Sequence, residues 1–153
     1  MEETLVIIKP DAVQRQAVGG IILRFENKGL KIRAMRMETL KKGLLEKHYE
    51  QHRGKPFFGT LVDFMSSGPS ILIILEGIDC TAVVRKMVGA TNSRNAEPGT
   101  IRGDFGNSLQ NNLVHASESI EAAQKEIKLF FTEKENYTLS VSEWIYSREE
   151  AKK

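Results

Sequence analysis

With 153 residues, 41% of them hydrophobic and 27% charged in interspersed signs, the chain has the composition of one ordinary globular domain, not a disordered or fibrous one. A formal charge of +2 sets up no overall field that would draw it to nucleic acid or a membrane, so any basic site is local. One cysteine, Cys80, excludes an internal disulfide and a thiol cluster for zinc, and it suits a reducing compartment.

The start at Met1-Glu2-Glu3 lacks the basic opening of a secretory signal, which points to the cytosol. Residues 4–9 (TLVIIK) are apolar and β-branched and read as a buried strand that releases Lys9 at Pro10-Asp11. From Val18 onward, Ile21, Ile22 and Phe25 recur at helical spacing, and Lys28-Gly29 closes the helix. Residues 30–38 alternate apolar and charged, as a strand with one wet face does. Short helices are expected over 44–52 and 57–65, stopped by Ser66-Ser67-Gly68-Pro69. Residues 70–75 (SILIIL) form a second buried strand, far short of the roughly 20 residues that cross a bilayer.

Asp79 is expected to cap a helix whose inner stripe is Cys80, Val83, Val84 and Met87, leaving Arg85 off that stripe. Residues 90–112 carry no apolar periodicity and read as a long loop. A short apolar step, Leu113-Val114, delivers His115, and a helix over 119–131 turns Ile120, Ala123, Ile127 and Phe130 inward. The order implies an α+β, ferredoxin-like split βαβ sandwich: a four-stranded antiparallel sheet with helices on one face and a long functional loop. It is read as a single domain over 1–153, with a charged tail at 147–153 expected to fray.

A structureless connection of that length is uncommon unless it binds or covers something. Arg94 and Arg102 offer cations, Thr91, Thr100 and Asn112 offer hydrogen bonds, and Gly99, Gly103 and Gly106 let backbone approach closely, a set that matches phosphate. It is neither a P-loop, since Gly54-Lys55 is followed by Pro56, nor a dinucleotide fingerprint, since the loop glycines are wrongly spaced. His115, at a strand end before Ala116-Ser117, suits a nucleophile, because a neutral imidazole attacks near pH 7 without a separate base. His48 and His52 stand at i, i+4 as a metal pair would, but no third ligand accompanies them in sequence.

The segments TLVIIKPDAVQR (4–15), HYEQHRGKPFFGTLVDFMSSGP (48–69), PGTIRGDFGNSLQNNLVHASES (98–119) and EWIY (143–146) together resemble the nucleoside diphosphate kinase family over nearly the whole chain. That resemblance implies a ping-pong transfer of the terminal phosphate of a nucleoside triphosphate to a nucleoside diphosphate, through a phosphohistidine on His115. It implies Mg²⁺ carried mainly by the nucleotide phosphates, with no protein metal ligands. By the same resemblance Lys9 and Asn112 hold the ribose hydroxyls, Lys9 also reaching the phosphates; Arg85, Arg102 and Thr91 grip the phosphates. Phe57 stacks on the base with Leu109 opposite, Tyr49 positions Lys9 and His115, and Glu126 orients the imidazole with Ser117 as intermediary.

The resemblance further implies a homo-oligomer, a hexamer by the EWIY-like tail, acting without membrane or nucleic acid. Against the family pattern, Ser93 stands in place of a proline, which should loosen its loop. Gln110-Asn111 replaces Gly-Arg, and Ala116 replaces glycine. Arg102→Ala is expected to impair turnover without unfolding the protein. The alternative class is an RNA-binding module, but such a sheet would carry paired aromatics, and residues 4–9 have none.

Overall fold

The computed structural model describes residues 1–132; the expected tail at 147–153 and the EWIY segment lie outside them. Four strands, β1 (Glu2–Ile8), β2 (Lys31–Thr39), β3 (Pro69–Gly77) and β4 (Val114–Ala116), form one sheet in the order β2-β3-β1-β4. Every neighbouring pair is antiparallel, with Val6 opposite Ile73 and Ile7 opposite His115. This is the split βαβ arrangement expected. β2 is one edge of the sheet; its ladder with β3 shifts between Ile32 and Ala34.

The helices do not keep to one face. β1 and β3 are apolar at successive positions, so both faces of the sheet shed water and both must be covered. Val6, Ile8, Ile73 and Leu75 pack with Ile21 and Phe25 of α2 (Val18–Asn27) and Val84 and Val88 of α5 (Cys80–Val88). Leu5, Ile7, Leu72 and Ile74 pack on the other face with Leu45 of α3 (Lys42–His48), Val62 and Met65 of α4 (Phe58–Met65), and Ile127 and Phe130 of α7 (Ile120–Phe130). Ile120, expected inside, is 45% exposed. Ser119, whose Oγ accepts the Ala122 N–H, caps the helix, so Ile120 falls in the first turn beyond the sheet.

Three local features differ from expectation. Pro10-Asp11, read as a plain strand stop, opens a short helix after Lys9, α1 (Pro10–Gln14), with Pro10 at a position where a missing N–H costs nothing. Asp79 precedes α5 in a left-handed conformation (φ 48°) and its side chain makes no cap; Glu2 Oε1 accepts the Thr81 N–H instead. The long loop is internally built. It contains a 3-10 turn (Ser93–Asn95) and a short helix, α6 (Ile101–Phe105), whose apolar Ile101 is fully buried.

The loop glycines serve the chain's own packing. A Cβ on Gly103 would sit 2.0 Å from the Glu97 carbonyl oxygen, and one on Gly106 would sit 2.3 Å from Ser93 Oγ. Thr100 is likewise spent internally: its Oγ1 donates to the Glu97 carbonyl and accepts from the Gly103 N–H. Ser93, where looseness was expected, is buried and its N–H donates to the Ser108 carbonyl at 3.1 Å, a bond no proline can make and one that works against the loosening. No helix among the described residues is long and apolar enough to cross a membrane.

Candidate active site

The ends of β1 and β4 bring the candidate residues together. Ile7 pairs with His115, and the Lys9 N–H donates to the Leu113 carbonyl at 2.8 Å, so the lysine and the histidine leave adjacent strands side by side. Leu113, fully buried, holds a left-handed backbone (φ 72°) that costs a branched residue about 1–2 kcal/mol. Asp11 holds the bend, its Oδ2 accepting the Leu113 N–H at 3.1 Å. His115 therefore lies within β4 rather than just past it.

His115 Nε2 is 3.0 Å from Glu126 Oε2, and Ser117 Oγ donates to that same oxygen at 2.6 Å. Ser117 thus braces the carboxylate; it is not the expected intermediary between glutamate and imidazole. Burial pushes the Glu126 carboxyl up, but the hydrogen bond and charge of His115 and the Ser117 hydroxyl outweigh it and hold the group below its ordinary range. An ionised carboxylate only accepts, so Nε2 carries the imidazole proton and Nδ1 carries the free lone pair.

Lys9 is buried, its Nζ donating to Asn112 Oδ1 at 2.7 Å with the Phe64 ring 5.9 Å away. Burial, reinforced by Arg102, lowers its pKa to about 8 against the raising influence of Asp11. The Asn112 amide donates to the carbonyls of Thr91 and Leu109, at 2.8 and 2.9 Å, tying the loop to the strand end. The contribution Thr91 makes here is its carbonyl.

Arg102 is also buried, and its guanidinium donates to three backbone carbonyls: Nε to Asn112, Nη1 to Gly89 and Nη2 to Val114. It braces the loop as much as it faces a ligand. Burial and then Arg85 lower its pKa to about 10. Arg85 is exposed, with Nη1 at 3.4 Å from the carbonyl of Ala116, the residue after His115.

An aromatic file runs from the surface to His115. Phe57, 46% exposed, lies 5.4 Å from the His52 ring; His52 stacks at 6.2 Å on Tyr49; Tyr49 meets His48 at 4.4 Å; and His48 meets His115 edge-on at 4.7 Å. Tyr49 is buried and its hydroxyl is pushed up by burial and then by Glu126, so it stays neutral. Leu109 is 58% exposed, and the neighbouring Gln110 Nε2 reaches the Thr60 carbonyl at 3.4 Å, joining the loop to α4.

Sequence reasoning missed two residues. Asp11 was read only as part of a strand stop. His48 was paired with His52, yet the two diverge: His52 is partly exposed beside Lys55, while His48 is buried against His115 and Glu126. The signal for His48 was its place three residues after Leu45, on the inner stripe of α3.

The nucleoside diphosphate kinase family profile matches residues 2–136. The chain belongs to the nucleoside diphosphate kinase family. Among its relatives, a nucleoside diphosphate kinase of Archaeoglobus fulgidus is 51% identical over 148 residues, covering 95% of this chain and 98% of that one. One from Methanocaldococcus jannaschii is 54% identical over 134 residues, covering 88% and 96%. The solved structure of the Halobacterium salinarum nucleoside diphosphate kinase in complex with CDP superposes with a TM-score of 0.88 at 44% identity, covering 95% and 98%. With a family member's fold, the strand ends that gather Lys9, Asn112 and His115, braced by Arg102, are the place to seek the chemistry.

Proposed function

We propose that this nucleoside diphosphate kinase carries the phosphoryl group on Nδ1 of His115, taking it from a nucleoside triphosphate and passing it to a nucleoside diphosphate. The observation that carries this is the Glu126 contact: with Nε2 held as a donor, the lone pair on Nδ1 is left free. In the first half-reaction the Nδ1–P bond forms as the bond from Pγ to the bridging oxygen breaks, and that electron pair leaves with the diphosphate. The second half-reaction is the same step reversed on another nucleotide.

Little covalent work falls to the protein beyond this, so alignment and converging charge supply most of the rate. Lys9, Arg85 and Arg102 are the cations, with Thr91 beside them. Lys9 and Asn112, already 2.7 Å apart, fit the ribose hydroxyls, Lys9 keeping N–H groups for the phosphates. Tyr49, whose ring stands edge-on to that of His115 at 6.5 Å, positions the imidazole. Phe57 and Leu109, large and half-exposed, offer flat apolar surface to a base, which suits tolerance of different bases.

The donor set fits a magnesium ion brought in on the phosphates. Each of two carboxylates has one oxygen engaged, Glu126 Oε2 by His115 and Ser117 and Asp11 Oδ2 by the Leu113 N–H, which leaves too few oxygens for octahedral magnesium without the phosphates. Bound there, magnesium would offset phosphate charge and fix its geometry.

A cytosolic homo-oligomer, a hexamer by the family's habit, completes the proposal. Its support is β2, which among the described residues pairs only with β3 and holds Met35 and Met37 more than half exposed.

Incubation with Mg²⁺ and γ-labelled ATP should give an acid-labile, base-stable phosphoprotein that GDP discharges and His115→Ala lacks. Normal phosphate transfer by His115→Ala would overturn the assignment.

A further inference from the structure

His48 has no part in the transfer just described, yet it is placed with unusual care. Its side chain is 1% exposed and is wedged between Tyr49, Phe130 and the edge of His115. Among the described residues neither of its ring nitrogens has a hydrogen-bond partner. A buried imidazole with both nitrogens unmet is costly, because each forfeits the bonds it had in water. Its Nδ1 lies 4.0 Å from Glu126 Oε1, too far for a hydrogen bond.

His48, His115 and Glu126 each offer one ligand atom, and those atoms lie within 4.8 Å of one another. Two imidazoles and a carboxylate around an open fourth position form a ligand set that tetrahedral zinc accepts, with bonds of about 2.0–2.1 Å that place ligand atoms about 3.4 Å apart. Moving from the present spacing to that one requires side-chain shifts of about 1 Å. Magnesium, which demands oxygen ligands, is not suited to a site with two nitrogens.

We propose that His48, His115 and Glu126 form a second metal site, distinct from the magnesium carried by nucleotide, which binds zinc or a like transition-metal ion and silences the enzyme. Silencing follows from the imidazole's two nitrogens. A metal inserted between His115 Nε2 and Glu126 takes the Nε2 lone pair, so the single ring proton moves to Nδ1. Nδ1–H has no lone pair to offer a phosphoryl group. The metal therefore switches the tautomer that Glu126 otherwise enforces, and no displacement of nucleotide is needed. The silencing half of this inference rests on His115 being the phosphate carrier; the binding half does not.

The test uses metal-free enzyme without nucleotide. Titration with Co²⁺ alone should raise the visible d–d bands of a tetrahedral site, abolished by one equivalent of Zn²⁺ and untouched by excess Mg²⁺. Nitrogen NMR of the wild-type protein with Zn²⁺ should show His115 metallated at Nε2 and protonated at Nδ1. Zinc should lower the rate of phosphoenzyme formation at least about tenfold, and His48→Phe, which keeps a ring in the packing, should lose both the cobalt bands and the zinc sensitivity.

Absence of cobalt bands, bands unchanged in folded His48→Phe, or an unshifted His115 Nε2 resonance in the wild type would each overturn the site. The NMR measurement decides the matter even if His48→Phe does not fold. Cobalt and NMR signals as expected, without any phosphohistidine under turnover, would instead sink the transfer proposal and leave the metal site standing.

Discussion

Glu126 Oε2 accepts from His115 Nε2 at 3.0 Å and from Ser117 Oγ at 2.6 Å, so a single oxygen on α7 sets the orientation of an imidazole on β4. Replacing it by Glu126→Gln leaves an amide that can face the ring with either its oxygen or its nitrogen. Phosphoenzyme formation should slow about 10- to 100-fold in a folded protein, as outer partners of functional histidines typically do on mutation. The carboxyl is held below its ordinary value of 4.5, so its stabilising share is present above pH 4.5 and is lost as pH falls through the lowered value. Denaturant titrations should therefore show a stability gap between wild type and Glu126→Gln at pH 7 that narrows under acid. A gap independent of pH would contradict the hydrogen-bonded carboxylate.

Lys9 gives the opposite pH signature. Burial and Arg102 bring its pKa down to about 8, so the free enzyme loses this charge as pH rises through 8, where an exposed lysine would still be protonated. A polyphosphate prefers the protonated amine. Nucleotide affinity measured by calorimetry should weaken from pH 7 to pH 9, with proton uptake on binding near pH 8. Lys9→Gln should bind more weakly at pH 7 and show a flatter dependence; an unchanged slope in that variant would place the titration elsewhere.

Arg102 should matter to the fold as well as to turnover, contrary to the expectation from motif alone. Arg102→Ala strands the carbonyls of Gly89 and Val114 and takes one of two donors from that of Asn112, which keeps the Val114 N–H. Allowing for water entering the space, the cost should be about 2–4 kcal/mol. Thermal unfolding and phosphate transfer should fall together. Undiminished thermal stability would mean that the guanidinium contacts are idle in the free enzyme.

How far the chain could be read in advance depended on the range of the interactions involved. Residues 4–9 and 70–75 are apolar at nearly every position, which marks strands buried on both sides, and the helical spacing of Ile21 and Phe25 marks α2. That same continuous apolarity implies a core on each face of the sheet; assigning all helices to one face overlooked it. α6 escaped notice because five residues containing Gly103 are too few to show a period. That Lys9, Tyr49 and Glu126 gather around the His115 strand end was signalled only by resemblance, since each is brought there by strand pairing or helix docking across many residues. The His48 contact had no local signal beyond its place on an apolar stripe.

Phe57 should separate binding from folding. It precedes α4 with 46% of its surface exposed, so Phe57→Ala removes little core contact. Loss of one base-stacking ring costs about 1–3 kcal/mol. KM should rise by a similar factor for purine and pyrimidine nucleotides while the melting temperature hardly moves. A loss confined to one base would assign the discrimination to edge contacts, with Gln110 the nearest candidate.

Ser93→Pro restores the residue usual in the family and weighs two opposed effects of similar size. The ring removes the Ser93 N–H that donates to the Ser108 carbonyl, worth about 0.5–1.5 kcal/mol. It also restricts the unfolded chain, worth about 0.4–1 kcal/mol in the other direction. The preceding Asn92, at φ −79° and ψ 109°, already has the extended backbone a following proline requires, so no strain is added. Net stability should change by less than about 1 kcal/mol. Denaturant unfolding that moves by more than about 2 kcal/mol in either direction would mean that the buried hydroxyl, packed against Gly106, or the proline ring itself governs the loop instead.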